Sequence, residues 1–125
     1  MMKLMIVDDH AGTREMIRQL LEASDFSFCE CATGEEAIQR AADFKPDWVT
    51  LDIHMNGMNG LTAATQIKKE NPASRIIIVT AENHSFFRRM ANQAGAAGFV
   101  CKENLLELRA LLVPNGTEPA ARIVP

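Results

Sequence analysis

Lys3-Leu4-Met5-Ile6-Val7-Asp8-Asp9 opens the chain with four apolar residues that stop abruptly at two acids. The same pattern returns twice. Trp48-Val49-Thr50-Leu51 runs into Asp52, and Ile76-Ile77-Ile78-Val79 runs into Thr80. Short, mostly β-branched or aliphatic runs without alternation read as strands buried on both faces, as in a parallel sheet. Phe26–Cys31 alternates more and reads as a fourth strand. Ala97–Cys101, after Gly95, reads as a fifth and ends at Lys102.

Between the strands lie stripes at helical spacing. They hold Met16, Ile17, Leu20 and Leu21, then Ala37, Ile38, Ala41 and Ala42, then Leu61, Ala64 and Ile67. A fourth holds Phe86, Phe87, Met90, Ala91 and Ala94, and a fifth Leu105, Leu106, Leu108, Leu111 and Leu112. All five are expected to face a core. Thr33-Gly34-Glu35-Glu36 reads as a capping box that starts the second helix. Asn71-Pro72 ends the third, Gly95 the fourth and Pro114 the fifth. Strand and helix alternating five times imply an α/β fold with a parallel sheet and right-handed crossovers. Residues 1–113 form one domain on this reading. Residues 114–125 hold three of the five prolines and read as a C-terminal tail or the start of a linker.

Composition agrees with one globular domain: 125 residues, 47% of them apolar and 23% charged. A net charge of −3 lacks the basic footprint of a nucleic-acid binder, so direct nucleic-acid binding is not expected. No apolar run approaches the ~18 residues of a membrane span, and Asp8-Asp9 cuts the first run too short for a signal peptide. Cys29, Cys31 and Cys101, without CxxC spacing, fit neither a disulfide framework nor a zinc site. A cytoplasmic location is expected. Cys29 and Cys31 share a strand face, and small buried side chains are the expected role over a redox or metal one.

The strand ends carry the functional signal. In open α/β sheets ligands bind beyond the carboxyl ends of the strands, where strand order reverses. Here those ends deliver Asp8, Asp9, Asp52, Thr80 and Lys102 to one rim. Singly each has an ordinary explanation: a helix cap, a turn residue, a strand threonine, a solvated lysine. Capping does not account for three acids facing a lysine. Close carboxylates repel one another, and a hard divalent cation relieves this; carboxylate oxygens with spare water positions suit Mg²⁺. A carboxylate can then attack a phosphoryl group in line, giving an aspartyl phosphate, with Thr80 and Lys102 on its oxygens. Asp52 stands between the acidic pair and the Thr/Lys pair and is the expected nucleophile.

These residues resemble the receiver domain of response regulators, the phosphoacceptor half of two-component systems. The likeness covers about residues 2–113. It rests on Asp8-Asp9, on Asp52 followed by Met55-Asn56-Gly57-Met58-Asn59-Gly60, on Thr80-Ala81, and on Ala94–Lys102. It implies a flavodoxin-like (βα)5 sandwich with strand order 2-1-3-4-5. It implies Mg²⁺ on Asp9, Asp52 and the backbone carbonyl of His54, with Asp8 acting through water. It makes Asp52 the phosphorylation site, Thr80 and Lys102 the phosphoryl-binding pair, and Thr80 with Phe99 the switch. His54 and Glu82 fall where side chains flank the path of attacking water. Implied partners are a sensor histidine kinase or histidine phosphotransfer protein and a downstream protein target. The apolar fifth helix permits a homodimer.

Three positions depart from the family pattern. Asn56 stands where Pro is usual, Glu103 where a Pro often follows the lysine, and Phe99 where Tyr is common. The alternatives are a truncated receiver of a DNA-binding transcriptional regulator and a haloacid-dehalogenase-like phosphatase. The second usually carries DxD on its first strand, which this sequence lacks. A flavin-binding module is disfavoured by the acidic rim and the absence of Tyr.

Overall fold

The computed structural model describes residues 1–82 and 85–113. The expected tail at 114–125, and the helix end at Pro114, lie outside the described residues. Five parallel strands, β1 (Met2–Val7), β2 (Phe26–Cys31), β3 (Trp48–Leu51), β4 (Arg75–Thr80) and β5 (Gly98–Cys101), pair in the order 2-1-3-4-5. Helices α1 (Ala11–Leu21), α2 (Gly34–Phe44), α3 (Gly60–Glu70), α4 (Ser85–Gln93) and α5 (Leu106–Leu112) follow the strands in turn. A 3-10 turn at Lys102–Asn104 separates β5 from α5.

Two cores explain why the strands show no alternation. In β1, Leu4 and Ile6 pack with Ile17, Leu21, Leu108 and Leu112 beneath α1 and α5. Met5 and Val7 point the other way, to Ala37, Ala41, Ala64 and Ile67 of α2 and α3. Strand β4 divides likewise, Ile77 and Val79 against Ile76 and Ile78. With helices on both faces, every strand position gains by being apolar.

The helical stripes are only partly core-facing. Ile17 and Leu21 are buried, but Met16 is 56% exposed; Phe86 is 55% exposed and Leu106 75%. In α4 only Ala91 is fully buried. Consecutive helical residues diverge by about 100°, so Phe86 and Phe87 cannot both face inward. Ala42 also faces solvent, and Leu111 is 40% exposed.

The boundary signals hold in detail. Thr33 Oγ1 accepts from the Glu36 N–H at 3.1 Å. Glu36 reaches back to the Ala32 N–H at 2.8 Å, one residue earlier than a standard box. Asn71 caps the C-terminus of α3. Beyond α4 the Gly95 N–H bonds Asn92 O at 3.1 Å and the Ala96 N–H bonds Ala91 O at 3.0 Å, the paired closure expected around such a glycine. The three cysteines are buried and free. Burial, reinforced by Cys29, pushes the Cys31 thiol up to about 12, which leaves it an unreactive core side chain.

Candidate functional site

Strands β1, β3, β4 and β5 end side by side. Register sets Val7 opposite Leu51 and Thr80 opposite Cys101, so the residues that follow converge on one edge. Sheet bonding runs one step past the strands: the Asp8 N–H donates to Cys31 O and the Asp52 N–H to Val7 O, each at 3.1 Å. Asp8 and Asp52 are therefore held by backbone bonds at the switch point. They are 2% and 4% exposed, so water does little to solvate them.

Lys102 joins them. Its Nζ lies 2.9 Å from Asp8 Oδ2 and 2.9 Å from Asp52 Oδ2. Burial opposes the ammonium, but the bonds and charges from Asp8 and Asp52 outweigh it and hold the lysine above its ordinary pKa. The lysine thus bridges two strand ends as a counter-charge for both acids.

No side chain caps α1, whose N-cap is His10, so the helix-cap explanation for the acidic pair fails. Asp8 Oδ1 accepts from the His10 N–H at 2.9 Å. The His10 ring places Nδ1 3.1 Å from Asp9 Oδ1. One ligand atom from each of Asp8, Asp9, His10 and Asp52 falls within 4.8 Å of the others. Asp52 Oδ1 is buried with no hydrogen-bond partner, and Asp9 Oδ1 is buried with only the His10 ring beside it. Buried carboxylate oxygens without donors are costly, and such atoms in one cluster are what a cation would satisfy. The oxygen-rich set suits a hard ion such as Mg²⁺.

Thr80 is fully buried at the end of β4, its hydroxyl accepting weakly from the Glu82 N–H at 3.5 Å. His54 Nε2 lies 3.8 Å from Glu82 Oε2, and its ring meets Phe87 edge-on at 5.5 Å. The two residues that sequence position paired beyond Asp52 and Thr80 thus touch. Phe99 sits apart from the acids, half-buried beside α4, with the Arg88 guanidinium 4.6 Å from its ring centre.

A receiver domain is the family that fits this edge, and comparison with known proteins decides the point. A model of the response regulator receiver domain matches residues 4–112. The protein belongs to the response regulator receiver family. It is 39% identical over 103 residues to the chemotaxis protein CheY of Listeria monocytogenes, covering 82% of this protein and 87% of that one. It is 37% identical to the DNA-binding transcriptional activator EvgA of Escherichia coli, again over 82% of this protein but only 50% of EvgA. Among solved structures, a LuxR-family two-component response regulator from an Aurantimonas species aligns with a TM-score of 0.79 at 33% identity, covering 90% of this protein and 85% of that one. The flavodoxin-like fold and the function follow: this is a receiver of two-component signal transduction.

Four features of this receiver had escaped the sequence. His10 joins the acids, and only its adjacency to Asp9 hinted at it. The Asn56 N–H donates to Asp9 Oδ2 at 3.3 Å, a bond that Pro at this position could not make. Gly60 packs on the Asp52 backbone: a Cβ there would stand 1.8 Å from the Asp52 carbonyl oxygen. Arg14 donates from Nη1 to Asp8 O at 2.6 Å and from Nε to Glu30 Oε1 at 3.0 Å, tying the first acid to β2. The peptide bond after Lys102 is trans, as is every other among the described residues, in keeping with Glu103 in place of Pro.

Glu30 anchors that tie. The hydrogen bond from Arg18 at 2.9 Å is the main cause holding its carboxyl below the usual range, with Arg14 adding to it against the effect of burial. A depressed acid stabilises the fold above its unfolded pKa, and the contribution fades as pH falls through the folded value. Glu30→Gln should therefore be less stable than wild type at neutral pH, with the gap closing as pH falls through the depressed value of the folded carboxyl. Urea melts across pH test this; a gap independent of pH would exclude the ion pairs as its source.

Proposed function

We propose that Asp52 accepts a phosphoryl group from a phosphohistidine of a sensor histidine kinase or histidine phosphotransfer protein. The observation that carries this is the asymmetry of its carboxylate: Oδ2 held by Lys102 at 2.9 Å, Oδ1 buried and unpaired. Asp9, Asp52 and the backbone carbonyl of His54 would hold Mg²⁺, with Asp8 acting through water. When bound, the ion relieves the repulsion between the acids and polarises the phosphoryl oxygens. Asp52 Oδ2 then attacks phosphorus, the O–P bond forms, and the P–N bond breaks with its electron pair leaving on the imidazole. Lys102 follows the negative charge from the carboxylate to the phosphoryl oxygens. His54 and Glu82 stand over the water side and set the lifetime of the acyl phosphate. The protein assists its own modification rather than turning over a substrate, and it works in the cytoplasm.

The signal passes when Thr80 swings its hydroxyl to the phosphoryl group and Phe99 fills the space it leaves. Reversing a 1:99 equilibrium takes about 5.5 kcal/mol. Two charge-assisted contacts supply roughly 3–6 kcal/mol before the cost of moving Phe99. The switch is therefore partial until a partner binds the face formed by α4, β5 and α5; α4 carries exposed Phe86, and α5 carries exposed Leu106 and Leu111. That partner is a downstream protein or a second copy of the receiver. The likeness to EvgA supports a second arrangement, in which the receiver drives a DNA-binding output module. Thr80→Ala should still be phosphorylated but lose about 1.5–3 kcal/mol of the shift, roughly tenfold or more in the active-to-inactive ratio. Ring resonances of Phe99 report that ratio; a Thr80→Ala protein that switches as completely as wild type would remove Thr80 from the mechanism.

Phosphotransfer separates this function from a phosphatase. Label on the histidine of a kinase should pass to this protein as an acyl phosphate, with no turnover of p-nitrophenyl phosphate. Turnover of the ester without a labelled acyl phosphate would overturn the proposal.

A further inference from the structure

The loop between β3 and α3 carries two identical dipeptides, Asn56-Gly57 and Asn59-Gly60, in opposite states. Asn-Gly is the pair most prone to spontaneous deamidation, because no Cβ shields the glycine nitrogen from the neighbouring amide carbon. Asn56 and Gly57 are both exposed. Gly57 adopts φ +84°, the left-handed region that only glycine enters freely. Its N–H donates no hydrogen bond among the described residues, and the Asn56 side-chain amide has no partner there either. No hydrogen bond among the described residues holds that nitrogen or that amide in place; the Glu35 carboxylate lies beside Gly57.

Asn59-Gly60 is locked. Asn59 Oδ1 accepts from the Leu61 N–H at 2.7 Å as the cap of α3. Gly60 is buried, its N–H given to Ile53 O at 2.8 Å. Reaction at Asn59 needs both bonds broken and the first turn of α3 opened.

We propose that Asn56 is a deamidation site on the rim of the acidic pocket and that the fold protects Asn59, three residues on. The deprotonated Gly57 nitrogen attacks Asn56 Cγ and the N–Cγ bond forms. The Cγ–Nδ2 bond of the Asn56 amide breaks, and ammonia leaves with the electron pair and the protons. Water opens the resulting succinimide at either carbonyl, giving aspartate or isoaspartate. The balance is one water consumed and one ammonia released, with no oxidant. The product sets a fourth acid on the residue whose N–H holds Asp9 Oδ2. The isoaspartyl form also routes the backbone through an extra carbon at that bond. The chemistry depends on the loop alone and stands whether or not Asp52 is the phosphoacceptor.

The test is peptide mapping of the whole protein aged at mildly alkaline pH, native and in urea, with Asn56→Gln alongside. Intact mass does not suffice, because Asn115-Gly116 gains the same increment. In the native protein Asn56 should convert about tenfold or more faster than Asn59, since capping and backbone bonds must open first at Asn59. In urea, where the dipeptides are equivalent, the two rates should come within about a factor of two, as both then lack the local structure that separated them. Asn56→Gln should abolish the fast native conversion in that peptide. Equal native rates, Asn59 reacting first, or a native Asn56 that stays intact while the unfolded protein converts would each overturn the proposal.

Discussion

Replacing Lys102 with Met should destabilise the protein by about 3–5 kcal/mol at neutral pH without divalent cation. The size comes from what is left behind. Asp8 and Asp52 are almost fully buried, and Lys102 is the cation 2.9 Å from each. Removing one partner of a buried ionic cluster leaves uncompensated charge, which costs far more than a surface salt bridge contributes. The sign with pH follows. In wild type the raised lysine stabilises the fold below its unfolded pKa, and this is lost only as pH rises through the folded value. Lys102→Met lacks that contribution, so its deficit against wild type should narrow as pH rises through the folded value of the lysine. Mg²⁺ should restore part of the loss at neutral pH by supplying the missing positive charge. Phosphorylation should fall by roughly ten- to a hundredfold, the worth of one charge-assisted contact. Thermal melts at several pH values, with and without Mg²⁺, read the stability effects, and phosphoryl uptake reads the last. A variant as stable as wild type at neutral pH without cation would show that the bridge does not hold the acids together.

Gly60→Ala sets two effects of opposite sign against each other. Helix propensity favours Ala over Gly by about 1 kcal/mol. Against it stands a clash with the backbone: the new Cβ would lie 1.8 Å from the Asp52 carbonyl oxygen and 2.9 Å from Ile53 Cα. Neither is the end of a flexible side chain, so the start of α3 or the end of β3 must move. Relief of such contacts belongs to the severe tail of single substitutions, about 3–5 kcal/mol, and should prevail. The displaced residue is Asp52 itself, so phosphorylation should fall along with stability. A variant more stable than wild type by about the helix-propensity increment would mean that α3 does not press on Asp52.

These two residues mark the limit of what the sequence can show. The strands were legible because burial on both faces imposes composition: Phe26–Cys31 and Trp48–Leu51 match their observed bounds. The convergence of Asp8, Asp9, Asp52, Thr80 and Lys102 was legible because topology alone brings strand ends together. Distances are another matter. Lys102 reads from sequence as a group for the phosphoryl oxygens, whereas in the structure it is already bound to both acids. Arg14 and Gly60 act through backbone atoms of Asp8 and Asp52, and no side-chain pattern records such a contact. Lys45, which closes α2 at φ +52°, carries no glycine or asparagine to announce it. Met16, Phe86 and Leu106 satisfy a helical stripe yet face solvent, because apolar spacing does not say how far round a helix its covering extends.

Asp52 as the phosphoacceptor is the central claim, and one measurement addresses it directly. Wild type and Asp52→Asn are incubated with acetyl phosphate, with Mg²⁺ or with EDTA, and their intact masses are taken under mild conditions. The expected result is a single phosphoryl adduct on wild type that needs Mg²⁺ and is absent from Asp52→Asn. An adduct of equal extent on Asp52→Asn, or on wild type in EDTA, would contradict the assignment of Asp52 and of the acid cluster around it.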